Sequence, residues 1–218
     1  MKDRPQIHFS RARMAWMDPV LSGILGWRFR QILVRGECSW RPDALHVLLC
    51  QHVGRYDGFV LRRLHKRDAP ESRLVTIMLE RQLKRYPIFR KAGAIGITPG
   101  SVESGKQLKQ VVASELRAGD CVGLFPQGRI EAVDADPTLV RTGFRHFQHP
   151  HLPTRFIPVA LSIEALTHPK PTCFVQVGAA VDVGQAGEAF AGNVHSLREW
   201  IRAHGESADG AWDGTRLR

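Results

Sequence analysis

The chain has 218 residues, 43% of them hydrophobic and 24% charged, the balance of one folded domain with a substantial core; gross disorder, collagen-like repeats and small disulfide scaffolds are excluded. Lys and Arg number 31 against 21 acidic residues, a net charge of +10, and 24 of the basic residues are arginine. The planar, two-pronged guanidinium suits phosphate, so an anionic partner is expected: nucleic acid, an anionic membrane or a small phosphorylated substrate.

In chain order, residues 1–40 read as a basic amphipathic helical segment. Its first 35 residues hold seven Lys/Arg and two Asp, interleaved with Met14, Trp16, Met17, Leu21, Leu25 and Trp27. Pro19 divides the stretch, which predicts two short helices. The segment fits either a membrane interface or a helix packed on its own domain. From 41 to 204, apolar runs alternate with helical patterns. Leu45–Cys50 reads as a buried strand and Gly58–Lys66 as a helix. Arg73–Leu79 is a strand, and Glu80–Lys91 a basic helix broken near Pro87. A short strand at Ala94–Thr98 precedes a helix over Ser101–Arg117, with Ser101 as N-cap and Gly119 as stop. Strands are predicted at Cys121–Phe125, Arg155–Ile163 and Thr172–Val181, then a helix at Asn193–His204 and a frayed polar tail over 205–218. This order predicts an α/β fold, with a mixed, largely parallel sheet flanked by helices.

Chemistry in open α/β sheets collects where strands end. Two such places carry polar residues: Gln51–Asp57, after LHVLLC, and Pro126–Arg129, after CVGLF. His52 and Asp57 lie five apart, about 140° around a regular helix, so they meet only if the chain turns between them, as Gly54 allows. Asp57 then accepts from one ring nitrogen and leaves the other free as a base. Taken alone, the pair reads rather as a strand-end histidine and a helix N-cap. The four cysteines, Cys38, Cys50, Cys121 and Cys173, match no zinc spacing and suit a reducing compartment. His146, His149 and His151 read as a surface loop rather than a metal site.

Four blocks in order make the sequence resemble the PlsC-like glycerolipid acyltransferases. The family's NHxxxxD is matched by QHVGRYD, with Gln51 for Asn. GxIFIxR is matched in part by Gly93–Pro99, FPEGTR by Phe125-Pro126-Gln127-Gly128-Arg129, and the V/I-P-V-A strand by Ile157–Leu161. Arg141-Thr142-Gly143-Phe144 resembles the basic-x-Gly step between the last two blocks. The resemblance covers roughly Ala44–Val183. It implies transfer of a fatty acyl group from acyl-CoA or an acyl-carrier protein to a lipid hydroxyl. His52 would be the general base and Asp57 its orienting partner, with no covalent intermediate, metal or cofactor. It implies substrate contacts at Gln51, Gly54, Arg55, Phe125, Pro126, Gln127, Gly128, Arg129 and Pro158. Pro99 stands where the second block has an arginine linked to the acceptor's phosphate, with Arg90 and Lys91 as nearby substitutes. Gln127 replaces a Glu, and Arg129 sits one position early.

The expected partners are an anionic membrane surface, a lipid acceptor such as 1-acylglycerol 3-phosphate, and an acidic carrier protein drawn by the net +7 of Arg55–Lys91. The expected location is the cytoplasm, peripheral on the cytoplasmic face of a membrane. No apolar run is long enough to span a bilayer. Arg11, Arg13 and Asp18 interrupt any secretory signal. A lipid-binding relative with little activity is the alternative. A nucleic-acid domain rests on charge alone, and an esterase lacks a GxSxG elbow.

Overall fold

The computed structural model describes residue 7 and residues 9–217, with the backbone alone for 11–13. Residues 1–6 and 8 of the N-terminal segment lie outside the described residues. The strands are β1 (Gln31–Arg35), β2 (Leu45–Cys50), β3 (Leu74–Leu79), β4 (Ile95–Ile97), β5 (Cys121–Leu124), β6 (Thr154–Glu164), β7 (Thr172–Val177) and β8 (Thr215–Arg216). The α-helices are α1 (Arg11–Arg28), α2 (Asp57–Asp68), α3 (Glu80–Arg85), α4 (Ile88–Lys91), α5 (Val102–Glu115), α6 (Ala186–His204) and α7 (Ala208–Ala211). One eight-stranded sheet runs β4-β3-β5-β2-β6-β7-β1-β8. Its pairs are parallel except β6 with β7 and β1 with β8.

β2 lies inside the sheet between two parallel neighbours, and all six of its residues are buried. That is why its sequence is a continuous apolar run rather than an alternating one. Leu45, Val47 and Leu49 join the core on one face, under Leu108 and Val112 of α5 and Phe190 and Val194 of α6. Leu48 and Cys50 join the core on the other, under Val60, Leu61 and Leu64 of α2. Because β2 and β5 are parallel with Leu49 opposite Leu124, the segments that leave them emerge side by side. The topology thus brings the two polar strand ends together.

The structure departs from the expectations in five places. α1 runs unbroken through Pro19. Pro19 and Ala15 both face solvent, so the Ala15 carbonyl that proline leaves without an N–H partner is open to water. β1, within the expected helical segment, is instead a strand of the sheet, parallel to β7. β7 stops at Val177, after which only Val181 bridges back to Phe156. α6 begins at Ala186 rather than Asn193. The tail does not fray: it forms a 3₁₀ turn, α7 and β8, and Trp212 is buried against Phe174 and Trp200.

α1 packs on α2. Met14, Met17, Leu21 and Leu25 are buried, and buried Asp18 takes a two-pronged bond from Arg62 (3.0 and 3.1 Å) with Lys66 also at 3.1 Å. Burial pushes the Asp18 carboxyl up; Arg62 and Lys66 together outweigh it and hold the carboxyl below its usual range. The opposite side of α1 leaves Trp16, Val20 and Trp27 exposed.

Candidate active site

Beyond β2 the chain turns at Ser-free Gln51–Tyr56 and enters α2 at Asp57. His52 Nδ1 lies 2.9 Å from Asp57 Oδ2. The same oxygen accepts the backbone N–H groups of Val53 and Gly54, each at 2.7 Å. Gly54 makes this close approach possible, since a Cβ there would stand 3.3 Å from Asp57 Oδ1 and 3.3 Å from Ile163. Asp57 is buried at the first turn of α2, where the helix dipole favours an anion. Its Oδ1 has no hydrogen-bond partner among the described residues. A carboxylate satisfied through one oxygen, out of water, gains strongly from an imidazolium alongside.

The loop after β5 cradles the histidine. Phe125 stacks on the His52 ring, with centroids 4.3 Å apart and planes at 27°. Gln127 Oε1 accepts the His52 N–H at 2.7 Å, and the Glu131 N–H donates to the His52 carbonyl at 2.9 Å. Gly128 supplies the left-handed step of the turn, at φ +72°. Both peptide groups of His52 and one ring face are therefore held, while Nε2 has no hydrogen-bond partner among the described residues. With Nδ1–H donated to Asp57, Nε2 is the nitrogen able to accept a proton.

His52 opens onto a cavity of about 780 Å³. Most of its wall is apolar: Met14, Met17 and Leu21 of α1, Phe59 of α2, Ile77 and Leu79 of β3, Phe89, Leu108, Phe144 and Phe147. Arg55, Phe125, Pro126, Gly128 and Arg129 share the wall. Arg129 is held by Glu131 at 2.9 Å. Pro99 lies there too, whereas Arg90 is bonded to Glu80 and does not.

Four of the expected substrate contacts lie off the wall. Gln51 is buried and its Oε1 accepts the Leu161 N–H at 3.1 Å, tying β2 to β6. Gln127 is buried behind His52, as described. Gly54 serves Asp57 through its backbone. Pro158 sits inside β6 beside Gly178 and Asn193. Its C=O accepts the Gly178 N–H at 2.9 Å and the Asn193 side-chain amide at 3.2 Å, just past Val177, where β7 ends and a proline in β6 costs the sheet least. Phe59 of α2 lines the cavity, and so do Met14, Met17 and Leu21 of α1, which at i, i+3 and i+7 share one helix face; the sequence did not mark these residues as cavity wall.

Among the described residues, no group of three or more His, Cys, Asp or Glu is arranged to hold a metal ion. His149 instead caps a turn, its Nδ1 accepting the His151 and Leu152 N–H groups. Nor is any described helix long and apolar enough to cross a membrane.

A buried carboxylate, a histidine in contact with it and a largely apolar cavity thus meet at one end of the α/β sheet. The acyltransferase family model matches residues 31–162, more than half of the chain, and this chain belongs to that family. Its fold is similar to the crystal structure of the 1-acyl-sn-glycerophosphate (LPA) acyltransferase PlsC from Thermotoga maritima. That likeness covers 91% of this chain and 82% of the other at 12% identity, with a TM-score of 0.51, and it is a likeness of fold. No curated protein matches the chain in sequence.

Proposed function

We propose that this acyltransferase moves a fatty acyl group from an acyl thioester, acyl-CoA or acyl-carrier protein, to the hydroxyl of a lysophospholipid such as 1-acylglycerol 3-phosphate. The observation that carries the reading is the His52 Nδ1–Asp57 Oδ2 contact at 2.9 Å, on the wall of an apolar cavity. His52 Nε2 takes the acceptor's hydroxyl proton as the oxygen attacks the thioester carbonyl. The C–O bond forms and Asp57 stabilises the imidazolium. Collapse of the tetrahedral intermediate breaks the C–S bond, and the imidazolium returns the proton to the departing thiolate. No residue is acylated and no cofactor takes part. The fold shared with an LPA acyltransferase supports this acceptor class.

The protein works as a peripheral protein on the cytoplasmic face of a membrane. Trp16, Val20 and Trp27, at i, i+4 and i+11, lie within about 40° of one another around α1. The same helix carries cavity wall on its other side, so lipid reaches the site across one helix. The net charge of +10 suits anionic lipid or an acidic carrier protein.

Thiol release from palmitoyl-CoA should depend on added 1-acylglycerol 3-phosphate. His52→Ala should lower it roughly 10²- to 10⁴-fold, and Asp57→Asn should slow it while leaving the fold intact. Binding of lysolipid by wild-type protein without thiol release from any thioester would replace this reading with a lipid-binding one.

A further inference from the structure

Five aromatic rings form a row from the end of α1 to the junction of α3 and α4. Phe29 lies 6.3 Å from Tyr56, Tyr56 6.2 Å from Phe59, Phe59 6.4 Å from Phe89, and Phe89 6.3 Å from Tyr86, centroid to centroid. Phe59, Phe89 and Tyr86 also line the cavity. The row starts buried at Phe29 and ends in water at Tyr86, which is 47% exposed. Pro87 and Ile88 are exposed beside it, so the junction shows solvent three largely apolar side chains in succession. It is already folded: the Tyr86 N–H donates to the Gln82 carbonyl at 2.8 Å and the Arg90 N–H to the Pro87 carbonyl at 3.1 Å. Little order remains to be lost when a partner meets it.

α3 sets its cations beside this junction. Arg81, Lys84 and Arg85, at i, i+3 and i+4, fall within about 100° of arc, and buried Leu83 takes the opposite side. None of the three has a carboxylate partner among the described residues, while Glu80 is taken by Arg90 at 2.9 Å. Arg85 lies over the Tyr86 ring instead, 5.4 Å from its centroid. An acidic protein surface would meet the cations alone. Exposed Tyr86 and Ile88 favour a partner that is apolar just beneath its charge, which is the boundary between anionic headgroups and acyl chains. We infer that the α3–α4 junction and the cationic face of α3 form a second membrane contact, for anionic phospholipid, separate from the exposed side of α1. This rests on the peripheral-membrane part of the proposed function and not on acyl transfer. With α1 as the sole contact the molecule would roll about that helix. A second contact stops the roll and keeps the cavity that both border turned toward the bilayer.

Lys84, Arg85 and Ile88 are the positions to probe, since none of them lines the cavity. Ile88→Cys carrying an environment-sensitive dye should shift its emission to the blue on vesicles of phosphatidylglycerol and phosphatidylcholine, and spin-labelled lipid should quench it. The four native cysteines are buried and leave the dye to position 88. Lys84→Gln with Arg85→Gln should weaken sedimentation with those vesicles roughly 10- to 30-fold and with pure phosphatidylcholine vesicles hardly at all. Ile88→Ser should weaken both by about threefold or more. No thioester is present, so the result stands whether or not the chain transfers acyl groups. Vesicle binding by the wild type with a silent dye at 88 and undiminished binding in the variants leaves α1 as the contact and overturns this one. A wild type that binds no vesicle overturns it together with the membrane reading. Weaker capture of an acidic acyl-carrier protein by the charge variant, with vesicle binding unchanged, also overturns it and gives the cations to a protein partner.

Discussion

His52 is gripped through its backbone as firmly as through its ring. Gln127 and Glu131 hold its N–H and C=O, so the direction of Nε2 is set by the β5 loop as well as by Asp57. Gln127→Ala should therefore lower kcat about tenfold with little change in acceptor KM; a raised KM at constant kcat would return Gln127 to substrate contact. His52 and Asp57 were legible through the ordered blocks around them; Gly54 only allowed the turn that the 2.9 Å contact needs. Gln51 and Gln127 were legible as neighbours of the site but not as its braces. Sequence adjacency does not say which way a side chain points, and Gln51 simply continues β2 toward β6.

At the scale of elements, the buried strands were readable because parallel strands covered on both faces are apolar throughout. α1 was harder to read, since one helix serves two environments. Its inner side is cavity wall and its outer side bears Trp16 and Trp27, 69% and 71% exposed. A hydrophobic pattern marks both sides alike. Replacing both tryptophans with serine should weaken binding to vesicles containing anionic lipid by about tenfold or more, with the melting temperature unchanged because neither ring packs in the core. Vesicle sedimentation reads the first effect and thermal melting the second. Unchanged sedimentation would separate α1 from the membrane.

The molecule as a whole should lose stability in acid through a residue outside the site. His65 is buried in α2; Arg62 donates toward its Nδ1 and its Nε2 lies 2.6 Å from Ser72 Oγ. Burial, with the Arg62 charge beside it, drives the imidazole from 6.5 down to about 3. The folded state keeps His65 neutral while the unfolded chain protonates it, so stability present above pH 6.5 falls steadily toward pH 3. The full loss is on the order of 4–5 kcal/mol. Denaturant titrations across that range should show the slope, and His65→Gln should flatten it. The order of the strands was not legible at all. β1 pairs with β7 across most of the chain, and β8 then pairs with β1, contacts that no local pattern announces. That order also puts the two shortest strands, three residues in β4 and two in β8, at the outer margins of the sheet. A stray chain arriving there meets almost no free backbone ladder to extend, so crowding many copies together should not zip them into fibrils from either flank.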